Sequence, residues 1–238
     1  MDAKRINHFL AEVAANNNRP WFLNHKEEYE ECKLDFERGV GDAIVRLAQF
    51  DPEIASLTPR DCCYRFYRDV RFSPDKSPYK RHFGAYICAH GKKSLRGGYY
   101  IHIQPDRSVV CAGCYWLPTN ILTSTRNEIM ARIDEWRGMV ENPAFVEAFG
   151  RPGEGVWDEQ QGVVSEKGFG GDRLKTCPKG FPKDYPFMDY LRMKSYVAWQ
   201  RKPDDFFQGD AWLDELERLM KLAKPMMDFI NSVVDDYE

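Results

Sequence analysis

The sequence has no long apolar run, no regular cysteine spacing and little net charge. Its longest uncharged, mostly apolar run, residues 109–117, spans nine residues, whereas a membrane-spanning helix needs about 20. Polar side chains interrupt the first 17 residues too often for a signal peptide, so these residues predict a helix. The seven cysteines show no disulfide framework, which predicts a reducing, cytoplasmic compartment. We therefore expect a cytoplasmic protein with no membrane partner.

Familiar catalytic and metal-binding motifs are also missing. The sequence contains no G-x-S-x-G, H-E-x-x-H or G-x-x-x-x-G-K-[ST] pattern, which argues against the hydrolases, zinc proteases and P-loop nucleotide enzymes that carry them. Cys111 and Cys114 have the spacing of half a zinc site, but side chains three positions apart on a strand point to opposite faces. We predict no metal ion and no cofactor.

Charge is segregated along the chain although the net charge is only −3. Residues 60–107 carry 11 basic against 4 acidic side chains, and residues 166–202 carry 9 against 4. The segments around them are acidic. If the two basic blocks meet in the fold, they form a positive face that suits an anionic partner. The alternative is that acidic helices neutralise the basic segments through ion pairs between elements.

Periodicity predicts a single α+β domain over residues 1–238, with a central, mainly antiparallel sheet flanked by N- and C-terminal helices. Short turn-forming connections favour hairpins. Strands are expected near residues 62–67, 83–90, 98–104, 108–116 and 195–201. The expected order along the chain is helices in 1–50, the sheet in 62–116, helices in 118–150, an irregular basic loop in 151–185, and a helix, a strand and a C-terminal helix in 186–238. Pro225 should kink or restart the last helix.

The densest group of charged side chains follows the first expected strand. Residues 65–79 read R-x-x-R-D-x-R-F-x-x-D-K-x-x-Y, with two further basic residues directly after them. If the proline turns fold this segment back, its cations surround a pocket, and such cations bind phosphate or carboxylate oxygens. The predicted ligand-binding residues are Arg65, Arg68, Arg71, Lys76 and Lys80. The predicted orienting and wall residues are Asp69, Asp75, Trp21, Phe72 and Tyr79.

This motif resembles the signature of a sparsely distributed, mainly bacterial conserved-hypothetical family of about this chain length. The resemblance extends to residues 16–22, 98–102, 174–181 and 191–195, and so covers most of the sequence. It implies no reaction, because no biochemical activity is established for the family, for which nucleic-acid binding has only been suggested. The resemblance therefore indicates which positions carry the family's motifs, above all those of the long motif.

A second basic block, residues 167–183, is rich in glycine but lacks the strand-then-helix frame of a phosphate-binding loop. Its glycines alone predict a mobile surface loop. Lys175 and Lys179, however, lie four positions apart with Pro178 between them, which indicates a fixed turn. We therefore add Lys175 and Lys179 to the predicted ligand-binding residues.

The leading hypothesis is a cytoplasmic binding protein for an anionic small molecule that bears a phosphate or carboxylate. The first alternative is a nucleic-acid-binding domain that contacts phosphates through both basic blocks. The second is an enzyme that acts on a phosphorylated substrate, with Asp69 or His102 as general base. In the third, Arg65, Arg68 and Arg71 pair with nearby carboxylates in a structural clamp, and no ligand binds.

Overall fold

The structure is a computed structural model that describes residues 1–158 and 162–238. Its helices are α1 (Ala3–Ala15), α2 (Arg19–Asn24), α3 (Lys26–Leu47), α4 (Pro59–Cys62), α5 (Thr119–Ala131), α6 (Ile133–Val140), α7 (Pro143–Phe149), α8 (Met188–Leu191) and α9 (Trp212–Val234), with a 3₁₀ turn at Pro52–Ile54. Its strands are β1 (Phe83–Ile87), β2 (Gly98–Ile103), β3 (Ser108–Cys114), β4 (Trp157–Asp158), β5 (Gly162–Val163), β6 (Lys167–Phe169) and β7 (Tyr196–Lys202). A five-stranded antiparallel sheet has the strand order β1-β2-β3-β7-β6, and β4 pairs with β5. The α+β prediction is confirmed.

Helix α1 shows how local sequence signals determine where a helix begins, where it ends and which face is buried. The Asp2 side chain accepts a hydrogen bond from the Arg5 amide at 3.2 Å and so caps the first turn. The Asn16 side chain donates to the Glu12 carbonyl at 3.1 Å where the helix ends. Apolar residues at helical spacing are buried along one face of α1, namely Ile6, Phe9, Leu10 and Val13.

The described residues form two compact units. The first comprises Met1–Lys92, Tyr100–Val109 and Lys202–Glu217. Its core combines aliphatic side chains with a cluster of aromatic rings. Phe22 stacks on Tyr79 with ring centroids 3.9 Å apart, and the rings of Phe66 and Phe83 lie 5.1 Å apart. Burial of each such ring stabilises the unit by about 1.5–3 kcal/mol relative to exposure.

The second unit comprises Lys93–Tyr99, Val110–Arg201 and Arg218–Glu238. Trp136 of α6 is fully buried in it and contacts the edges of the Tyr190 and Tyr196 rings at centroid distances of 6.1 and 5.5 Å. In the sheet, β6 pairs antiparallel with β7, so that Phe169 lies opposite Ala198. That the two units form one domain stays a prediction.

The expected strand over residues 62–67 is wrong. Helix α4 ends at Cys62, and the following residues make only isolated bridges within the described chain. The cause is a capping box, because the Thr58 amide and hydroxyl both donate to the Asp61 carboxylate, at 2.9 and 2.6 Å. That cap starts a helical turn that includes Cys62, the residue with which the strand was expected to begin.

Two further expectations change towards the C-terminus. Residues 151–185 are not irregular throughout, because β4, β5 and β6 lie among them, although residues 159–161 fall outside the described residues. Helix α9 runs through Pro225 without restarting. Buried Ala223 and Met227 continue its apolar row on both sides of the proline. Their burial offsets the loss of the hydrogen bond that proline cannot make.

No helix of the described ranges is long and apolar enough to cross a membrane.

Candidate functional site

The basic loop, defined as residues 65–81, closes on itself in the first unit. The Arg68 amide donates to the Pro78 carbonyl, and the Lys80 amide donates to the Phe66 carbonyl, both at 2.9 Å. These backbone hydrogen bonds join the two ends of the loop. The segment therefore folds back on itself, as its prolines predict.

Arg68 is held by oxygen atoms of the basic loop. Its Nη1 donates to Asp75 Oδ2 at 2.6 Å and to the Ser77 hydroxyl and carbonyl at 2.8 and 3.0 Å, and its Nη2 donates to the Ser73 hydroxyl at 3.2 Å. Asp75 also accepts hydrogen bonds from the Ser77 amide and hydroxyl. The Ser77 hydrogen bonds, and then that of Arg68, hold the pKa of Asp75 well below its usual range. Arg68 and Asp75 thus form a structural clamp inside the loop.

The tip of the basic loop is exposed. Arg71, whose side chain is 76% exposed, donates through Nε and Nη2 to the two oxygens of Asp69 at 3.0 and 2.7 Å. These hydrogen bonds lower the pKa of Asp69. Lys76 donates to the Val70 carbonyl at 3.0 Å, and Phe72 is 94% exposed. Asp69 is therefore engaged by Arg71 and is a weak base.

Three cations at the ends of the basic loop form no ion pair within the described chain. Arg65 and Arg81 are exposed, whereas Lys80 is half-buried. The Lys80 ammonium lies 5.2 Å from the centre of the Tyr64 ring. Burial and, second, the nearby charge of Arg65 lower the pKa of Lys80.

The two predicted wall residues Trp21 and Tyr79 have different surroundings. Trp21 stacks on His25 with ring centroids 4.0 Å apart. Tyr79 is buried, and its backbone exchanges hydrogen bonds of 3.0 and 3.1 Å with the side chain of Asn17. Asn17 therefore anchors the end of the basic loop to the connection between α1 and α2, a role that sequence reasoning missed.

His102 of β2 lies in a row of hydrogen-bonded side chains. Its Nδ1 is 3.0 Å from the Tyr100 hydroxyl, and its Nε2 is 3.0 Å from the Gln104 side-chain oxygen. A neutral ring satisfies both contacts when Nδ1 accepts and Nε2 donates. The His82 ring stacks on His102 at 4.3 Å. Burial lowers the pKa of His102 to about 4 and that of His82 still further.

The second unit contains a cavity of about 660 Å³, which we name the Arg126 cavity. Its charged lining residues are Arg126, Asp172, Lys179 and Lys194, and its aromatic lining residues are Tyr115, Trp116 and Trp199. Cavities of about 300–1,000 Å³ that combine apolar walls with a few charged groups are typical of small-molecule sites.

Arg126 is a buried cation in the wall of this cavity, with only 5% of its surface exposed. Its Nη2 donates to the Met193 carbonyl at 3.0 Å, and the side chain lies beside the Tyr196 hydroxyl. Its Nε has no hydrogen-bond partner, and no carboxylate pairs with it in the part of the chain that the structure describes. Burial lowers the pKa of Arg126, but a guanidinium keeps its charge near neutral pH. Among the described residues, this charge is therefore left without a counter-ion.

Lys179 stands on a fixed turn at the rim of the cavity. The Phe181 amide donates to the Pro178 carbonyl at 3.3 Å, and Gly180 has a φ of +91°. A turn with positive φ at its third residue favours glycine there and places Lys179 at its second position. The observed turn begins at Pro178 and includes Lys179 but not Lys175, and the exposed Lys179 side chain lines the cavity.

Positive charge exceeds negative charge in the cavity lining. Lys194 Nζ lies 3.2 Å from Asp172 Oδ2, so these two groups neutralise each other. Arg126 and Lys179 make no ion pair among the described residues. Within the described ranges, the lining therefore carries two cations that no carboxylate compensates.

Trp116 presents a large apolar surface at the same cavity. Its side chain is 69% exposed, and its φ of +57° lies in the left-handed region, which costs a residue with a Cβ atom about 1–2 kcal/mol. Its amide lies 3.4 Å from the Ser195 hydroxyl. An exposed aromatic ring on strained backbone beside a cavity is typical of binding sites.

The sequence-predicted ligand residues are divided between the two units. The first unit contains Arg65, Arg68, Arg71, Lys76 and Lys80, and the second contains Lys175 and Lys179. Lys179 lines the Arg126 cavity, whereas Lys175 is exposed and lies outside its described lining. The Lys175 carbonyl accepts a hydrogen bond from Arg192 Nη2 at 2.9 Å, which holds the backbone of Lys175 in place.

Sequence reasoning missed Arg126, although a signal was present. In α5, Arg126 lies four positions after Leu122 and three before Ile129, both of which are buried. A residue at that spacing belongs to the apolar row of the helix. An arginine in such a row is unusual, because charged side chains are rarely buried without a partner.

Groups with metal-ligand chemistry are dispersed in the described ranges. No cluster of three or more His, Cys, Asp or Glu side chains there could hold a metal ion. The seven cysteines are free thiols. Burial raises the pKa of the Cys111 thiol to about 12, so the unliganded thiol is protonated at neutral pH.

The comparisons with known proteins identify a family. The sequence model of a conserved hypothetical protein, DUF2461, matches residues 5–229, a range that contains both the basic loop and the Arg126 cavity. Neither the curated proteins nor the solved structures give a match. The chain therefore belongs to the conserved hypothetical family DUF2461.

Proposed function

We propose that this protein binds a small organic anion, one that bears a phosphate or a carboxylate, in the Arg126 cavity. The observation that carries the proposal is the Arg126 guanidinium, which is buried in the cavity wall without a carboxylate partner among the described residues. A buried charge without a counter-ion is unfavourable. An anion in the cavity supplies the missing negative charge.

The other lining residues fit the same ligand. Lys179 adds a second unpaired cation from its fixed turn. The exposed Trp116 ring offers an apolar surface to the non-ionic part of the molecule. Each hydrogen bond from a charged donor contributes about 1.5–3 kcal/mol, so one such bond from Arg126 and one from Lys179 give about 3–6 kcal/mol, which corresponds to a site of roughly millimolar affinity.

Titration calorimetry tests this proposal. The probes are inorganic phosphate, glucose 6-phosphate, AMP and citrate, each titrated into the full chain at constant ionic strength. We expect at least one probe to bind, and we expect Arg126→Met and Lys179→Gln to weaken that binding about tenfold or more. Lys183→Gln is the matched control, because Lys183 is an exposed lysine of the same segment outside the described cavity lining. Absence of binding by every probe, or equal binding by wild type and Arg126→Met, contradicts the proposal.

Nucleic-acid binding at the basic loop is a second candidate function. Exposed Tyr67 and Phe72 lie in the same loop as Arg65, Arg71 and Arg81, and aromatic rings beside cations suit stacked bases and phosphates. A short single-stranded oligonucleotide is expected to bind with an affinity that falls steeply with salt and that Phe72→Ala weakens. Salt-independent binding, or no binding, excludes this function. A cytoplasmic location and the enzyme alternative stay predictions.

A further inference from the structure

The lining of the Arg126 cavity includes two exposed aromatic side chains, Tyr115 and Trp116. We propose that the anion bound in this cavity is a nucleoside monophosphate, whose planar base stacks on the Trp116 indole while Arg126 and Lys179 hold its phosphate. This inference rests on the function proposed above and narrows it to one class of ligand. The residues that it uses line one cavity and belong to one compact unit, the second.

Trp116 has surroundings unlike those of the core tryptophans. Trp136 and Trp212 are at most 3% exposed, whereas Trp116 is 69% exposed. A large ring that stays in water gains none of the free energy that burial of its apolar surface provides. Because the Trp116 ring lines a cavity, a ligand in that cavity can cover it.

The backbone holds the Trp116 ring in position. On one side, Cys114 ends β3 and is fully buried. On the other side, Leu117 is buried and Pro118 leads directly into α5. The Trp116 amide also lies 3.4 Å from the Ser195 hydroxyl. A ring whose backbone is anchored in this way loses little conformational freedom when a ligand binds.

The geometry of the two rings favours a flat group in the ligand. The Tyr115 and Trp116 ring centroids lie 6.0 Å apart and their planes are inclined at 58°, so Tyr115 does not lie flat on the indole. No other ring of the described residues stacks on Trp116. A planar conjugated ring can cover the open indole face, and base–aromatic stacking of this kind is favourable for every nucleobase.

The polar lining residues suit the edge of a base. The Thr123 hydroxyl donates to the Thr119 carbonyl at 2.7 Å, so its oxygen keeps lone pairs that can accept from an amino group. The Asp172 carboxylate, which Lys194 neutralises at 3.2 Å, is a second acceptor in the same lining. A hydrocarbon ring would set an apolar edge against both acceptors. An amino-bearing base such as adenine satisfies them.

Matched probes separate the contribution of the ring from that of the phosphate. AMP, ribose 5-phosphate and adenosine are each titrated into the full chain by calorimetry at constant ionic strength. AMP is expected to bind about tenfold more tightly than ribose 5-phosphate, which lacks the base, and about tenfold more tightly than adenosine, which lacks the phosphate. Equal affinity for AMP and ribose 5-phosphate, or binding of citrate alone, overturns this inference and leaves the anion site standing. Absence of binding by every anionic probe overturns both.

Variants assign the base to the indole. Leucine keeps an apolar side chain but has no aromatic face, so Trp116→Leu is expected to weaken AMP binding about tenfold and to leave ribose 5-phosphate binding unchanged. Trp116→Phe, which keeps an aromatic face, is expected to retain most of the affinity for AMP. Arg126→Met is expected to weaken the binding of both phosphates by the same factor.

Phe72→Leu is the matched control, because Phe72 is an exposed aromatic residue of the first unit outside the described cavity lining. It is expected to bind AMP as wild type does. Wild-type affinity for AMP in Trp116→Leu, or an equal loss of affinity in Phe72→Leu, contradicts the inference.

Discussion

The carbonyl oxygen of Met193 accepts a hydrogen bond from Nη2 of Arg126 at 3.0 Å. This acceptor is neutral, so the hydrogen bond orients the guanidinium without balancing its charge. The Arg126 side chain is nevertheless almost completely buried in the wall of the Arg126 cavity. Such burial lowers the stability of the protein, and the anion that we propose as the ligand would supply the missing negative charge.

Replacement of Arg68 is expected to destabilise the protein. Arg68→Ala removes hydrogen bonds to Asp75, Ser77 and Ser73 inside the basic loop. We expect the free energy of unfolding to fall by about 1–3 kcal/mol in urea denaturation. Arg71→Ala is the control, because its ion pair with Asp69 is exposed and such pairs contribute about 0–1 kcal/mol. Equal stability of Arg68→Ala and wild type contradicts the clamp.

Asp75 is expected to make the free energy of unfolding depend on pH in the acid range. Its pKa is lowered in the folded protein by Ser77 and Arg68, whereas the unfolded value is about 3.9. The stabilisation is therefore complete above the unfolded pKa and is lost as the pH falls through the folded pKa. Between pH 5 and acid pH, Asp75→Asn is expected to lose less unfolding free energy than wild type.

Asp42→Asn provides the control for this acid dependence, because Asp42 is an exposed carboxylate of α3. It is expected to behave as wild type over the same pH range. An unchanged acid dependence in Asp75→Asn shows that Asp75 is not held as described.

His102 is expected to make stability depend on pH in a higher range. Burial lowers its pKa to about 4, and the unfolded value is about 6.5. Between these values the unfolded chain binds a proton that the folded protein does not bind, so the free energy of unfolding falls as the pH falls from about 6.5 to 4. His102→Asn is expected to reduce this slope, and His8→Asn, which replaces an exposed histidine of α1, is not. An NMR titration that places His102 near 6.5 contradicts the account.

The left-handed backbone conformation of Trp116 is expected to lower the free energy of unfolding. Trp116→Gly and Trp116→Ala both remove the exposed indole, but alanine keeps a Cβ atom at a φ of +57°. The glycine variant is therefore expected to be about 1–2 kcal/mol more stable than the alanine variant. Thermal unfolding of the pair measures this difference. Both variants are expected to bind the organic probes less tightly, and equal stability of the pair shows that the backbone is not strained.

Much of the fold could be predicted because local signals agree with the final packing. Asp2 caps α1, and strands β1, β2, β3 and β7 lie where alternation and turn residues place them. The aromatic residues in 62–67 led to the wrong prediction of a strand, because aromatic side chains are also typical of core segments, and Phe66 packs on Phe83 in the core. Thr58 and Asp61 carry the capping signal that decides the local structure.

The candidate site could be predicted only in part. Lys179 was predicted from its spacing to Lys175 with Pro178 between them, and in the structure it lies in the turn that begins at Pro178 and lines the Arg126 cavity. Which cations lack a partner could not be predicted, because pairing depends on chain segments that meet only in the fold. Arg68 is clamped by Asp75, whereas Arg126, which carries no local motif, is the buried cation at the cavity.

The stability and the binding of Arg126→Met, measured together, test the central claim most directly. Methionine fills a similar volume without burying a charge. We predict that the unliganded variant is as stable as wild type or more stable, and that it loses the stabilisation that the best anionic probe gives to wild type. A variant that is several kcal/mol less stable than wild type, or one that binds the probe as wild type does, would contradict the assignment of Arg126 to an anion site.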